Sequence, residues 1–424
     1  MSARRVRRGG GLGLALAGGG PGGAVYEIGA LRALEEAVEG LDLNHCDVYV
    51  GVSAGAFVAS ALANGQTPEQ LVRGLVTNEP GEHPFDPAAF FVPAYREWAH
   101  RGVQLPRLFA DALWQFTRSP EDQTLVESLT RLSRALPLGL FDNRPIRRFL
   151  EETFSRQGRT NDFRKLKHRL FVVSADLESG QPIVFGSKGW DHIPISLAVK
   201  ASTALPGLYP PVEIEGHLCV DGVLLRTLHA SVALEHGADL LFCVNPVVPM
   251  DVAEGQGKGV LPPGSLRRRG LPALLSQTFR TLIHSRMVVG MSRYKNNFPD
   301  ADVVLLEPER SEYRLFFSHI FSFKSRREVC EIAYRATRQD LLRRQATLGP
   351  ILRRHGLRLR TDVLKDSTRD VWASVGVSRT GRRAPVTDRL ASTLLELEDD
   401  LGSLGRNGHG GRGSRARRGE LVKQ

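Results

Sequence analysis

An α/β fold, with a mainly parallel central sheet and helices on both faces, is predicted by three observations. Strand-like and helix-like segments alternate from about residue 12 to 250, the pattern of a covered parallel sheet. Two of the strand-like runs end in glycine-rich turns that open directly into helical sequence, as crossover units require. A chain of 424 residues with 42% hydrophobic content can also bury a core large enough for that architecture.

The elements follow in order. Leu12 to Ala17 is a short apolar run that stops at Gly18-Gly19-Gly20-Pro21-Gly22-Gly23. Val25, Ile28, Leu31, Leu34 and Val38 then recur at helical spacing, with Glu27, Arg32, Glu35, Glu36 and Glu39 interleaved and Gly40 as the stop, so strand, glycine loop and amphipathic helix are expected. Such a loop leaves backbone N–H groups bare at the positive end of a helix dipole, where they suit an anion. Gly18, Gly20 and Gly23 satisfy a dinucleotide pattern, but the end of the second strand holds Gly51-Val52-Ser53 instead of the acidic residue a ribose needs. The favoured anion is therefore the oxyanion of an acyl-transfer intermediate, with Gly18, Gly19, Gly20, Gly22 and Gly23 as the candidate oxyanion hole.

Asp47 to Val52 reads as the second strand, and Ala54 to Ala63 as the helix after it. Between them Gly51-Val52-Ser53-Ala54-Gly55 matches the strand-turn-helix setting of a nucleophile elbow. A serine on so sharp a turn projects its hydroxyl outward, and side chains at Gly51 and Gly55 would collide with the crossing backbone. Ser53 is the candidate nucleophile. Thr67-Pro68-Glu69 opens a further helix.

Residues 78–140 carry Phe85, Phe90, Phe91, Tyr95, Trp98, Trp114 and Phe116 among prolines, with helical stretches near 106–117 and 122–135. This aromatic insertion is expected to form a lid or an acyl-chain groove, or else an ordinary helical subdomain with the aromatics as its core. Asp142-Asn143-Arg144-Pro145 opens a helix to about Phe154. Leu170 to Ala175 and Pro182 to Phe185 read as paired strands, 194–203 as a helix, and Leu218 to Val223 as a strand ending in Asp221-Gly222-Val223. Helix 229–237 and a strand from Leu240 to Asn245 follow. Residues 251–365 form a mostly helical extension packed on the core, with one strand at Val303 to Leu306, and the Arg-rich stretch 338–360 reads as solvated helix faces. The domain plan is a basic disordered start over 1–11, a catalytic domain over 12–250, that extension, and a largely disordered basic tail over 366–424, with a short helix at Leu390 to Leu401.

The formal charge of +11 is mostly terminal. The first eleven residues contribute +4 and residues 402–424 contribute +5, which leaves +2 for everything between. A nearly neutral globular part points to no specific nucleic acid. Peripheral contact with an anionic membrane through the basic tails is an expectation. Cys46, Cys219, Cys243 and Cys330 lie far apart without a C-x-x-C pair, the usage of reduced core thiols in a cytoplasmic protein. No apolar run has the length of a membrane span.

Taken together, Gly18-Gly19-Gly20-Pro21-Gly22-Gly23, Gly51-Val52-Ser53-Ala54-Gly55 and Asp221-Gly222, with Ala201 to Val212 ahead of the last, resemble the patatin-like phospholipase family over residues 11–250. The resemblance implies a fold related to the α/β-hydrolases and a serine lipid acyl hydrolase of phospholipase A, lysophospholipase or esterase type. It implies a Ser-Asp dyad in which Ser53 attacks the ester carbonyl and Asp221 accepts its proton, with no cofactor and no metal. Two positions depart from the family pattern. Gly22 stands where Arg or Lys is usual, and Val223 where Gly or Ala is usual. Two alternatives stay open: a histidine triad through His229 or His236, and a non-catalytic or weakly active module that binds a phosphate-bearing ligand or lipid at the glycine loop. The partner implied is a lipid or acyl ester; the oligomeric state is left open.

Overall fold

The computed structural model describes residues 11–77, 92–95, 138–317 and 323–377. The expected helices at 106–117, 122–135 and 390–401, and both basic ends, lie outside them. The described residues belong to one compact unit that closes at Ser378.

Chain order begins β1 (Gly11–Leu16), α1 (Gly20–Ala37), β2 (Val38–Glu39), β3 (Val48–Val52), α2 (Ala54–Ala63) and α3 (Pro68–Leu71). It continues α4 (Arg144–Phe154), β4 (Arg169–Asp176), β5 (Pro182–Phe185), α5 (Ile195–Ser202), β6 (Val212–Ile214), β7 (His217–Asp221), α6 (Ala230–Glu235) and β8 (Ala238–Val244). After these come α7 (Val252–Gly257), α8 (Ser265–Arg268), α9 (Gly270–Asn297), β9 (Asp302–Leu306), α10 (Tyr313–Phe317), α11 (Phe323–Arg343), α12 (Gln345–Arg354) and β10 (Arg358–Leu359).

The main sheet has eight strands in the order β6-β7-β4-β3-β1-β8-β9, with β5 also on β4. β4, β3, β1, β8 and β9 run parallel, whereas β5 and β7 pair antiparallel with β4 and β6 with β7. The strands alternate sides with the two-residue period of an extended chain. Leu12, Leu14 and Leu16 of β1 face the larger core with α1 and α2, while Ala15 faces the other. Tyr49 of β3 joins the first layer, and Val48, Val50 and Val52 join the second, which α6 and α9 cover with Ala233, Met287 and Tyr294. Both faces of the sheet are thus buried. That is why its strands read as apolar runs.

α1 ends at Ala37 rather than at Gly40, because Val38 and Glu39 turn extended and pair with Leu359 and Arg358. α11 lies along α1, and Gly29 is what permits the approach: a Cβ there would stand 2.4 Å from the Cys330 carbonyl oxygen. Arg338 on α11 departs from the expected solvated faces over 338–360, whereas Arg343, Arg353, Arg354 and Arg358 are exposed. Arg338 is buried, lies 3.6 Å from Glu36 and donates to the carbonyls of Val363 and Asp366 at 2.6 and 2.8 Å. Glu27 was read as part of a polar face but is also fully buried. The four cysteines are buried and form no disulfide among the described residues. Among the described residues no helix is long and apolar enough to cross a membrane.

Candidate active site

β1 and β3 are neighbours, so the turns that follow them meet at the carboxyl rim of the sheet, the edge where ligands bind in open α/β folds. The β3–α2 turn is a strained elbow. Ser53 has φ 54° and ψ −123°, a combination that costs a residue with a Cβ on the order of 1–3 kcal/mol. The surroundings hold it there. The Ser53 N–H donates to Ser202 Oγ at 2.8 Å, and Ser202 Oγ donates in turn to the Val173 carbonyl at 2.6 Å, which pins the elbow to α5 and β4. The Gly55 N–H donates to the Ala17 carbonyl at 3.0 Å. Gly51 and Gly55 leave no room for a side chain: a Cβ at Gly51 would stand 2.4 Å from Ala56 Cα, and one at Gly55 would stand 2.4 Å from the Leu16 carbonyl oxygen.

The β1–α1 turn brings the glycine loop against this elbow. A Cβ at Gly18 would meet Ser53 Cβ at 3.1 Å and Val223 Cγ2 at 3.2 Å. α1 begins at Gly20 with Gly19 as its cap and Pro21 in the first turn. The N–H groups of Gly19, Gly20 and Gly22 thus belong to the positions that lack an intrahelical acceptor. Gly23 does not: its N–H donates to the Gly19 carbonyl at 3.0 Å, which removes it from the expected donor set. Gly19 and Gly20 are exposed, so a ligand can reach their amides.

Asp221 ends β7 and is buried. Its Oδ1 accepts a hydrogen bond from the Val223 N–H at 3.0 Å, and the Ser53 side chain is near enough to favour its charged form. Burial pushes its pKa up to about 7, against the smaller pulls of the Val223 amide and the Ser53 side chain. The carboxyl is therefore poised near neutrality, where a base both exists deprotonated and accepts a proton with useful force. Gly222 must lack a side chain here, since a Cβ would stand 2.5 Å from the Val173 carbonyl oxygen.

The histidines take other roles. His229 is buried and held by burial at a pKa of about 4, so it is neutral. Its Nε2 lies 3.2 Å from the Gly222 carbonyl, the atom it donates to in that state. His236 turns its Nδ1 to the Val232 carbonyl at 2.7 Å and its ring to Phe171. The Asp221 carboxyl is bonded by the Val223 amide and not by a histidine among the described residues, and His229 grips the turn behind it.

Ser202 was missed as a site residue, although the Ala201 to Val212 segment that carries it was singled out; only the fold shows its hydroxyl bridging two strands' ends. Glu27 lies beneath the glycine loop, and burial pushes its carboxyl well above the usual range. Its oxygens have no hydrogen-bond partner among the described residues. Among the described residues no group of three or more acidic, histidine or cysteine side chains could hold a metal ion.

The family model described as patatin-like phospholipase matches residues 14–234. An uncharacterised NTE family protein of Mycobacterium tuberculosis is 28% identical over 271 residues, and one of Mycobacterium bovis is 29% identical over 273. Each match covers 63% of this chain and 36% of the relative, so the chain spans about a third of the length of these relatives. Among solved structures, VipD from Legionella pneumophila aligns with TM-score 0.29 at 14% identity, over 87% of this chain and 82% of that one. The type III effector ExoU aligns with TM-score 0.33 at 15% identity, over 79% of this chain and 53% of that one.

Proposed function

The chain belongs to the patatin-like phospholipase family, and from that premise we propose that it is a serine lipid acyl hydrolase working through an acyl-Ser53 intermediate with Asp221 as its base. The observation that carries the reading is a serine on a strained elbow, Ser53, beside a buried carboxyl, Asp221, whose pKa is raised by burial to about 7. A serine hydroxyl is a weak nucleophile at neutral pH and needs an acceptor for its proton.

In the first half-reaction Ser53 Oγ bonds to the ester carbonyl carbon while its proton passes to Asp221. The carbonyl oxygen becomes an anion and takes hydrogen bonds from the bare amides of the glycine loop, Gly19, Gly20 and Gly22, aided by the positive end of α1. As the tetrahedral species collapses, the bond to the leaving alkoxide breaks and Asp221 returns the proton to it. In the second, water gives a proton to Asp221 and its oxygen attacks the acyl carbon; Ser53 leaves and recovers that proton. His229 holds the Gly222 carbonyl and acts as a positioning residue for the Asp-Gly turn. Val223 packs on Gly18, which narrows the space beside the nucleophile.

The substrates proposed are acyl esters of phospholipids, lysophospholipids or neutral lipids. The test is labelling of the full chain with a fluorophosphonate, combined with hydrolysis of a panel of acyl esters. Wild type should label at Ser53 and hydrolyse at least one lipid ester; Ser53→Ala and Asp221→Asn should do neither at a measurable rate. Folded wild-type protein that resists the probe would instead point to a module that only binds an anion at the glycine loop.

A further inference from the structure

The longest described helix, α9, has an outer face that the other described residues leave uncovered. Its 28 residues contain no Asp or Glu. Its inner line, with Met287 and Tyr294, packs on the sheet. On the outside, Leu271, Leu275, Leu282 and Val289 fall along a single line at the 3.6-residue period, and Leu274 and Phe279 flank it. These six side chains are 45–65% exposed. A row of this kind on water is unfavourable by the whole of its unburied apolar area and marks an interaction surface.

Its position is as informative as its composition. The Gln277 side chain exchanges hydrogen bonds with the Met250 backbone at 3.2 and 2.7 Å, and Arg280 donates to the Val248 carbonyl at 3.4 Å. Val248 and Met250 follow β8 on the rim where Pro246 packs against Gly19. Farther along, Arg286 donates to the Leu224 carbonyl at 2.7 Å, three residues after Asp221. The leucine-rich half of α9 thus borders the edge of the sheet that carries Ser53.

Charge identifies the occupant. Arg267, Arg268 and Arg269 are exposed immediately before α9. Arg286 and Arg293 lie beyond the leucines and, with Arg226, line a cavity of about 540 Å³ in which Glu235 supplies negative charge. A helix with exposed leucines, arginines at both ends of the row and no acidic residue matches a surface of acyl chains beneath anionic head groups. We propose that α9 is a docking surface for an anionic phospholipid bilayer: the leucine row enters the head-group boundary, the arginines meet phosphate or carboxylate, and the rim bearing Ser53 is held against the lipid. This surface is distinct from the basic chain ends and does not depend on the hydrolase reading.

The test uses the full chain carrying Ser53→Ala, so that no lipid is consumed. It is sedimented with phosphatidylcholine vesicles and with vesicles containing a minority of phosphatidylserine. Partition should favour the anionic vesicles and fall as salt is raised. Leu275→Ser with Leu282→Ser should lower it about tenfold or more, and Arg267→Glu with Arg293→Glu should lower it for the anionic vesicles alone. Both pairs are exposed, and an unchanged circular dichroism spectrum and Tm would establish that they fold. Should a pair fail to fold, Phe279→Ser alone must produce the loss. Undiminished partition in the leucine pair, or none in the parent, would overturn the proposal. So would light scattering that shows a dimer which the leucine pair turns into a monomer, because the row would then cover a second copy.

Discussion

The two glycine clusters at the rim of the sheet look alike in sequence and serve different physical ends. At the elbow, Gly51 and Gly55 have ordinary backbone angles and are required by space: a Cβ at either would lie 2.4 Å from backbone atoms. In the β1–α1 loop, Gly20 has φ +62° and open space around its missing side chain. It is required by conformation, and its exposure leaves the amide bare for an anion. One cluster builds the shape of the site. The other is the one proposed to supply its hydrogen-bond donors. The only strained non-glycine residue of the pair of turns is Ser53, held by contacts from Ser202 rather than by its own preference.

The largest effect that separates the two clusters is on folding. Gly51→Ala or Gly55→Ala should cost more than the 1–3 kcal/mol usual for overpacking, since the clash is with backbone that cannot rotate away; loss of soluble folded protein or a sharply lowered Tm checks this. Gly20→Ala should fold, at a cost of about 1–2 kcal/mol for the left-handed angle, and lose rate in kcat while KM changes little. Because alanine keeps the backbone N–H, a Gly20→Ala protein with full kcat would show that the loop holds its left-handed angle and its amides in place despite the added methyl.

Next in size is the chemistry set between the clusters. Ser53→Ala and Asp221→Asn should each lower kcat by about 10³-fold or more while the circular dichroism spectrum is preserved. The same aspartate predicts a change of opposite sign in stability. Its pKa is about 7 in the folded chain and about 3.9 when unfolded, so the folded state binds the extra proton. The stability this confers is complete at low pH and is lost as pH rises through 7. Asp221→Asn should therefore have the higher Tm of the two proteins at pH 8, with the gap closing toward pH 4. In wild type, kcat/KM should rise with pH to a plateau above about 7, because the carboxylate is the working form.

The smallest effect expected is at His229. His229→Ala removes a buried donor to the Gly222 carbonyl and should cost about 1–3 kcal/mol in stability, with a loss of kcat far short of that in Ser53→Ala. A loss equal to that of Ser53→Ala would make the histidine a proton carrier and restore a triad.

Much of this was legible in the residues. The alternation of apolar runs with helical spacing determined a covered parallel sheet, because strands buried on both faces have no polar side to show. Gly51-Val52-Ser53-Ala54-Gly55 announced its elbow, since few other residues fit so tight a turn. Other features were not legible. Glu27, Glu36 and Arg338 carry the letters of solvated residues, and only the packing of α11 on α1 decided that Glu36 and Arg338 would meet inside. Gly23 looked the same as Gly22, and the start of α1 alone divided bare amides from bonded ones. Ser202 sits far from Ser53 in the chain, and the meeting of α5 with the elbow gave its hydroxyl a role. By itself, then, the sequence determined which residues could supply a nucleophile, a base and an anion cradle, because those roles are set by side-chain chemistry and local backbone freedom. Which of them acquire the necessary distance, burial and pKa was decided by the tertiary structure alone, because desolvation and long-range hydrogen bonds exist only once distant strands are brought to one rim.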